Sequence, residues 1–239
     1  MAAFWGIDGC RAGWLAICLH SPDFRVITSR QGLADLFDLA AGIWIDIPVG
    51  LADNGPRTCD QLLRCALGKT GASVFTPPVR AAIDAPDYKQ ACDINERATG
   101  KRITRQVWNI TGKIRQVDEL LIKQKVRASR VFESHPEYLF LLLNNGVALP
   151  RKKSQEGQRQ RVELLREHFP KSEEFINEIR NRFTKTELAN DDITDAMVLA
   201  LAATQSAANS ESIGSLPGQP QIDSKGVPMA VYYVNKIER

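Results

Sequence analysis

Four aspartates stand where a carboxylate needs a partner: Asp8 in FWGIDGCRAGW, Asp46 in GIWIDIPVGL, and Asp192 and Asp195 in ANDDITDA. Burying an unpaired carboxylate among apolar side chains is strongly unfavourable, so Asp8 and Asp46 require a cation or backbone N–H groups. Asp192 and Asp195 are three apart on a helical pattern and share a face, and Asp191, four before Asp195, reaches the same side. Carboxylates brought together raise one another's pKa, and a divalent cation relieves that repulsion. Hard oxygen donors with no thiol or imidazole cluster suit Mg2+ or Mn2+ rather than zinc. Two such ions about 4 Å apart activate a water and stabilise the leaving oxygen in phosphodiester cleavage. Each acid also has a structural reading. Asp8 is either a metal ligand or a turn acid bonded to the Gly9–Gly13 backbone, and Asp46 either a ligand or an acceptor for N–H groups at a strand end. Asp191 is read as an acid favoured at a helix N-terminus and ranks below Asp192 as a ligand.

The elements that must position these acids are readable. Phe4, Trp5 and Ile7 predict a buried strand ending near Asp8, then a Gly turn and short strands over 14–19 and 24–29 joined by HSPD, an antiparallel meander. Leu33, Leu36, Phe37 and Ala40 fall at helical spacing, and 42–51 is a near-continuous apolar run typical of a central parallel strand. Short right-handed connections place the first and fourth strands side by side, with Asp8 close to Asp46. A fifth strand through Val131 and Phe132 leads to a helix beginning near Pro136. Two amphipathic helices follow. An Ala-rich helix over 189–207, with Asn190 as its N-cap, carries Asp192 and Asp195, and Ala196, Ala200, Ala202 and Ala203 let it lie close against a sheet. A Ser/Gly/Pro-rich linker over 209–220 and a final strand, VPMAVYYV, complete the pattern. The expected fold class is α/β, a mixed five-stranded sheet flanked by helices, in one domain over 1–239.

Between Asp53 and Arg127 the character changes. That segment holds fourteen Lys or Arg against eight Asp or Glu, a larger surplus than the net +3 of all 239 residues. Its apolar positions Ile103, Val107, Ile110, Ile114, Val117 and Leu121 recur at helical spacing, so 53–127 is expected to be a helical insertion or cap. A net charge of +3 does not announce a nucleic-acid binder, although the local surplus suits a phosphate backbone. Five cysteines, odd in number and without a CxxC pair, point to reduced thiols in a cytoplasmic protein rather than to a disulfide framework or a zinc site. No basic-then-apolar leader is seen, and no apolar run approaches the roughly 20 residues of a membrane helix.

Further candidates surround the acids. Glu133 and His135 lie where the fifth strand ends: Glu133 as an additional ligand, His135 as a proton donor or phosphate contact, or, in the structural reading, as a loop residue bonded to a backbone carbonyl. Arg11, after the Asp8 turn, is a phosphate contact or a surface arginine. Ser73, Thr76 and Arg80 sit on SVFTPPVR, a loop stiffened by two prolines that is either a lid over a ligand or the hinge of the insertion. Arg57, Asp60 and Arg64 share one helix face and are read as a surface ion-pair set, worth little.

The order strand–Asp, meander, helix, strand–Asp and a late DxxDA helix resembles the RNase H-like superfamily, and its RuvC-type branch most of all. That branch carries metal-binding acids on the first strand, the fourth strand and the last helix, which implies Asp8, Asp46, Asp192 and Asp195 as ligands. Its fourth-strand acid is usually glutamate, so Asp46 reaches one methylene less. A basic loop before a helix in that branch is similar to KKSQEGQRQRV, making Lys153, or Lys152, a phosphate contact. More closely, GIDGCRAGW, IDIPVGL, RTCDQLLRCALG, SVFTPPVR, ESHPE and DDITDA, in that order from about Trp5 to Ala203, resemble domain-of-unknown-function family 429, described as a predicted nuclease of RNase H fold. The resemblance implies a metal-dependent nuclease using Mg2+ or Mn2+, with DNA or RNA as substrate and, as in RuvC-type enzymes, a homodimer. Two rivals stand beside it: a non-catalytic nucleic-acid or regulatory binding protein that keeps the fold, and an enzyme of small phosphorylated substrates. Stabilisation by Mn2+ separates the first rival, and a substrate panel the second.

Overall fold

The computed structural model describes residues 3–123 and 128–235. In chain order the elements are β1 (Phe4–Cys10), β2 (Gly13–Cys18), β3 (Asp23–Ile27), α1 (Arg30–Leu39), β4 (Gly42–Ile45), α2 (Thr58–Leu67), α3 (Arg80–Ile83), α4 (Tyr88–Thr99) and α5 (Arg105–Lys123). Then come β5 (Val131–Glu133), α6 (Pro136–Leu143), α7 (Gln155–His168), α8 (Ser172–Arg182), α9 (Asn190–Ala208), β6 (Ile213–Ile222) and β7 (Pro228–Val234). The chain divides into two compact units. One comprises Met1–Asp46, Arg130–Gly214 and Tyr232–Arg239, the other Ile47–Ser129 and Ser215–Val231.

The first unit is built on a five-stranded sheet of order β3-β2-β1-β4-β5. β1–β2 and β2–β3 are antiparallel, β1–β4 and β4–β5 parallel. This is the α/β architecture expected, with the strand order and sense of an RNase H-like sheet. β4 is shorter than the 42–51 apolar run, because Pro48 has no N–H with which to continue a ladder; the Asp46 N–H still donates to the Ile7 carbonyl at 3.0 Å. α9 is buried on all sides from Ile193 to Ala203, as befits a helix apolar around its whole circumference. It packs against β1, β2 and β4, and the Trp44 indole N–H donates to Ser206 Oγ at 3.1 Å.

That packing depends on one glycine. A Cβ at Gly6 would lie 2.0 Å from the Ala200 backbone N and 2.5 Å from the Ala196 carbonyl oxygen. The small alanines of α9 and the missing side chain on β1 together allow the helix backbone to approach the strand.

The second unit contains α2 to α5. Of the expected insertion, residues 124–127 lie outside the described residues. Arg57 and Asp60 are not a surface set: both are buried and ion-paired, and Arg57 also donates to the Val49 and Gly50 carbonyls. Asp60 sits on the buried side of α2 with Cys59, Leu63 and Leu67, and Arg57 immediately precedes the helix. The sequence 209–220 is not a linker either. Much of it forms β6, which pairs with β7 in a separate two-stranded sheet. Pro217 and Pro220 fit within β6 because a two-stranded ribbon leaves each strand an open edge where a residue without an N–H is tolerated.

Gly6→Ala sets a methyl against backbone atoms that cannot rotate away. We expect a loss of about 1–3 kcal/mol, or roughly 2–4 °C in Tm for each kcal/mol in a chain of this size, read by thermal or urea unfolding. An unchanged Tm would mean that α9 does not need this approach.

Candidate functional site

β1 alternates faces along its length, so Gly6 and Asp8 both leave the sheet on the side that α9 covers. Register sets Gly6 level with Trp44 and Ile7 level with Ile45, which brings Asp8 level with Asp46 one residue past β4. Neighbouring strands lie about 4.8 Å apart, so the two carboxylates start from adjacent positions. Asp195, five residues before Ala200 on α9, is 1% exposed. Three elements thus deliver Asp8, Asp46 and Asp195 to one end of the sheet, all within the first unit.

A cation of the chain meets them. Lys152, on the loop before α7, places Nζ 2.7 Å from Asp195 Oδ2 and 3.7 Å from Asp191 Oδ2. Burial works against the ammonium, but Asp195, then Asp8 and Asp46, outweigh it and hold its pKa above the ordinary range. The acids respond in the opposite sense. Burial, then Asp46 and Asp195, push Asp8 well above the usual carboxylate range. Burial, with Glu137 adding to it against Lys152, raises Asp46 to about 6. Burial, with Asp46 and Glu137, raises Asp195 to about 7 despite the lysine. One ammonium does not neutralise the cluster.

The lysine's loop is built for the purpose. Gln158 Nε2 donates to the Lys152 carbonyl at 2.6 Å, and fully buried Arg161 donates to the Pro150 carbonyl at 3.0 Å. Arg161 also grips both oxygens of Glu137, at 2.7 and 2.8 Å. A Cβ at Gly157 would strike the Arg151 carbonyl at 2.2 Å. Loop 150–152 is therefore held against α7, and the lysine is aimed by its surroundings.

The remaining expected residues fall differently. Asp192 sits at the third position of α9, and its Oδ2 accepts from the Ala189 N–H at 2.8 Å. Asp192 thus serves the helix start while still adding to the charge that raises Asp8, and Asp191 meets the lysine. The N-cap is Ala189 rather than Asn190. Asp8 meets its structural reading as a turn acid, since its Oδ1 accepts from the Gly9 N–H at 2.7 Å. Glu133 stands level with Ile45 and Ile7, so it leaves the sheet on the face opposite Asp8 and Asp46. His135 precedes α6, where its carbonyl accepts from the Leu139 N–H. Arg11 is exposed in the β1–β2 turn. Lys153 is exposed, and Lys152 takes the position beside the acids. Ser73, Thr76 and Arg80 belong to the second unit and are engaged there. Ser73 donates to the Thr70 carbonyl, Thr76 accepts from Arg64, and Arg80 is ion-paired with Asp118 and Asp223.

Three residues near the cluster were missed. Glu137 lies four past Glu133 in the same ESHPE motif, and it influences Asp46 and Asp195. Arg161 was absorbed into an amphipathic pattern. Ser134 falls, by strand alternation, on the side of Asp46; it is 1% exposed, and its Oγ has no hydrogen-bond partner among the described residues.

Among the described residues no three His, Cys, Asp or Glu side chains converge as a ready metal site. The donor set nevertheless fits a hard divalent cation. All candidate donors are carboxylate oxygens, their charge exceeds that of Lys152, and Asp195 Oδ1 is buried without a hydrogen-bond partner among the described residues. Such an orphaned oxygen is a lone pair available to a ligand.

Residues 6–222 match the family described as "Protein of unknown function (DUF429)". Comparison with curated proteins and with solved structures finds no match. Among the described residues no helix is long and apolar enough to cross a membrane.

The raised acids give a signed pH dependence. Their folded pKa values exceed the unfolded ones, so the stability they contribute is complete below about pH 4 and is lost as pH rises through about 6 and 7. Metal-free Asp8→Asn, which keeps an oxygen for the Gly9 N–H, is expected to exceed wild type in stability at pH 8 by about 1–3 kcal/mol, with little difference at pH 4. Mn2+ is expected to stabilise wild type at pH 8 by RT ln(1 + [L]/Kd) and to leave Asp8→Asn nearly unmoved. Thermal unfolding at both pH values reads each effect; equal curves for the two proteins at pH 8 would refute the crowding of the acids. Lys152→Met removes the counter-ion. Discounted for the ammonium's exposure to solvent, the expected loss is about 1 kcal/mol, or roughly 2–4 °C, without metal at pH 8, and Mn2+ should then produce a larger gain than in wild type. An unaltered Tm would show that Lys152 does not balance these acids.

Proposed function

The chain belongs to the DUF429 family, and we propose that it is a metal-dependent nuclease of the RNase H-like superfamily that hydrolyses phosphodiester bonds. One observation carries the reading: three carboxylates from β1, the end of β4 and α9 crowd at one sheet end, with their pKa values pushed up and one ammonium too few to balance them. Uncompensated buried charge destabilises the fold, and such costs concentrate at functional sites.

Asp8, Asp46 and Asp195 would hold Mg2+ or Mn2+, with Asp192 at the margin. When bound, the metal supplies charge stabilisation and a nucleophilic water at neutral pH. The chain's own residues do the rest. Lys152 presents an ammonium that a phosphate oxygen can share with Asp195 and Asp191. Arg161 and Gln158 keep that ammonium in place, while Glu137, gripped by Arg161, adds negative potential behind Asp46 and Asp195 and favours a cation in front of them.

One observation favours a second reading. The Lys152–Asp195 ion pair gives the acids a cation from within the chain, which suits a non-catalytic nucleic-acid or regulatory protein that retains the fold. Labelled DNA and RNA, as single strands, duplexes, hybrids and four-way junctions, together with small phosphate esters, should be incubated with Mn2+ and wild type, Asp8→Asn or Asp195→Asn. The nuclease reading expects nucleic-acid cleavage that falls at least about a hundredfold in either variant. Cleavage retained by both variants would reject the site. Silence of folded wild type across the panel would favour the second reading, and turnover of a small ester alone would move the substrate class.

A further inference from the structure

A cavity of about 440 Å3 opens in the first unit among α7, α8 and the first turns of α9, within the size range of small-ligand sites. Its wall combines three chemistries. Val162 and Ile176 are apolar, Gln158 and Asn177 offer amides, and Arg180 and Lys185 offer cations. Two other arginines in the lining are already answered by carboxylates: Arg159 by Glu156 and Glu163, Arg166 by Glu173. Arg180 is not. It gives its Nη groups to the Leu188 and Ala189 carbonyls at 2.6 and 2.8 Å, and its Nε is buried with no acceptor among the described residues. Burial lowers its pKa, and the acid that opposes this is Asp192. Lys185 is exposed and, among the described residues, has no ion-pair partner. A guanidinium bonded to neutral carbonyls and a lone ammonium on one cavity wall favour an anionic ligand.

The cavity adjoins the acids. Asn190 and Thr194 of α9 line it, while Asp191 and Asp195, each one residue further on, meet Lys152. These pairs are neighbouring i,i+4 stripes of one helix. Gln158 belongs to both places, because it lines the cavity and donates to the Lys152 carbonyl. A ligand in the cavity therefore sits beside whatever occupies the acid site.

Resting on the nuclease reading, we propose that this cavity seats a nucleotide unit adjacent to the one at the acids. Its phosphate meets Arg180 and Lys185, its base lies against Val162 and Ile176, and the base edge meets Asn177 and Gln158. Phosphate charge, an apolar base face and a hydrogen-bonding edge are the three demands of a nucleotide, and the wall answers each. A nucleotide within a strand and a free nucleotide share this chemistry.

The test measures fluorescence anisotropy in EDTA with two probes, a labelled single-stranded oligonucleotide and a fluorescent mononucleotide. Lys185→Glu and Asn177→Asp each set a negative charge in the cavity wall, and Lys69→Glu, an exposed lysine of the second unit, controls for total charge. Both cavity variants are expected to weaken oligonucleotide binding about tenfold, the worth of one charge-assisted contact. Lys185→Glu should also flatten the salt dependence by about one phosphate contact, while Lys69→Glu changes neither. Unchanged binding in both cavity variants, or an equal loss in Lys69→Glu, overturns the proposal. A loss seen with the mononucleotide alone supports a nucleotide site but overturns the strand. Failure of wild type to bind either probe overturns the proposal outright. Oligonucleotide binding that depends on the cavity, without cleavage in the substrate panel, sustains the cavity and rejects the nuclease reading.

Discussion

The close approach of α9 to β1 is the constraint on which the first unit depends. A helix usually stands off a sheet by the thickness of two side-chain layers, but Gly6 contributes no side chain, and Ala196 and Ala200 contribute one carbon each. The approach has a direct chemical consequence. Asp8 lies two residues along β1 from Gly6, and Asp195 lies one residue before Ala196 on α9. Whatever draws the backbones together at Gly6 also draws these carboxylates together at the sheet end. The packing and the electrostatic cost are one event, so a sequence that relaxed the first would relieve the second.

That cost has a local answer that stays incomplete. The buried acids raise each other's pKa although Lys152 opposes every one of them, and the lysine is fixed by a dedicated set of bonds from α7. A fold concerned with stability alone would more readily replace such a cluster with apolar groups, which is often neutral or stabilising. Keeping the acids, supplying one ammonium and leaving Asp195 Oδ1 without a hydrogen-bond partner among the described residues is an arrangement that gains most when a further positive charge arrives.

Much of this was legible in the sequence, for reasons that can be named. Apolar periodicity located every strand of the large sheet and the helices around it, because burial dictates pattern directly. Asp8 and Asp46 were visible as charges inside apolar runs. What failed depended on parity or on partners. Glu133 and Ser134 differ by one residue, yet strand alternation sends them to opposite faces, and only the register with Ile45 decides which faces Asp46. Lys152 and Lys153 are indistinguishable until the bonds from Gln158 and Arg161 fix the loop. Asp192 reaches the helix start because the helix begins one residue earlier than the Asn190 cap implied, and a 100° rotation per residue separates it from Asp191, which faces the lysine. The Arg57–Asp60 pair looked superficial because burial of an ion pair leaves no trace in spacing.

α7 shows why those missing decisions matter to function. One of its sides carries Gln158 and Arg161, which together hold the Lys152 loop and, through Glu137, the start of α6. Gln158, Val162 and Arg166 also line the cavity beside α8. The helix makes no direct contribution of carboxylate to the cluster, yet it sets where the ammonium stands and forms a wall of the space next to it. A shift of α7 by a fraction of a turn would move the lysine away from Asp195 and reshape the cavity together. Charge balance at the acids and ligand shape beside them are therefore mechanically coupled through one helix, with Gln158 as the residue common to both.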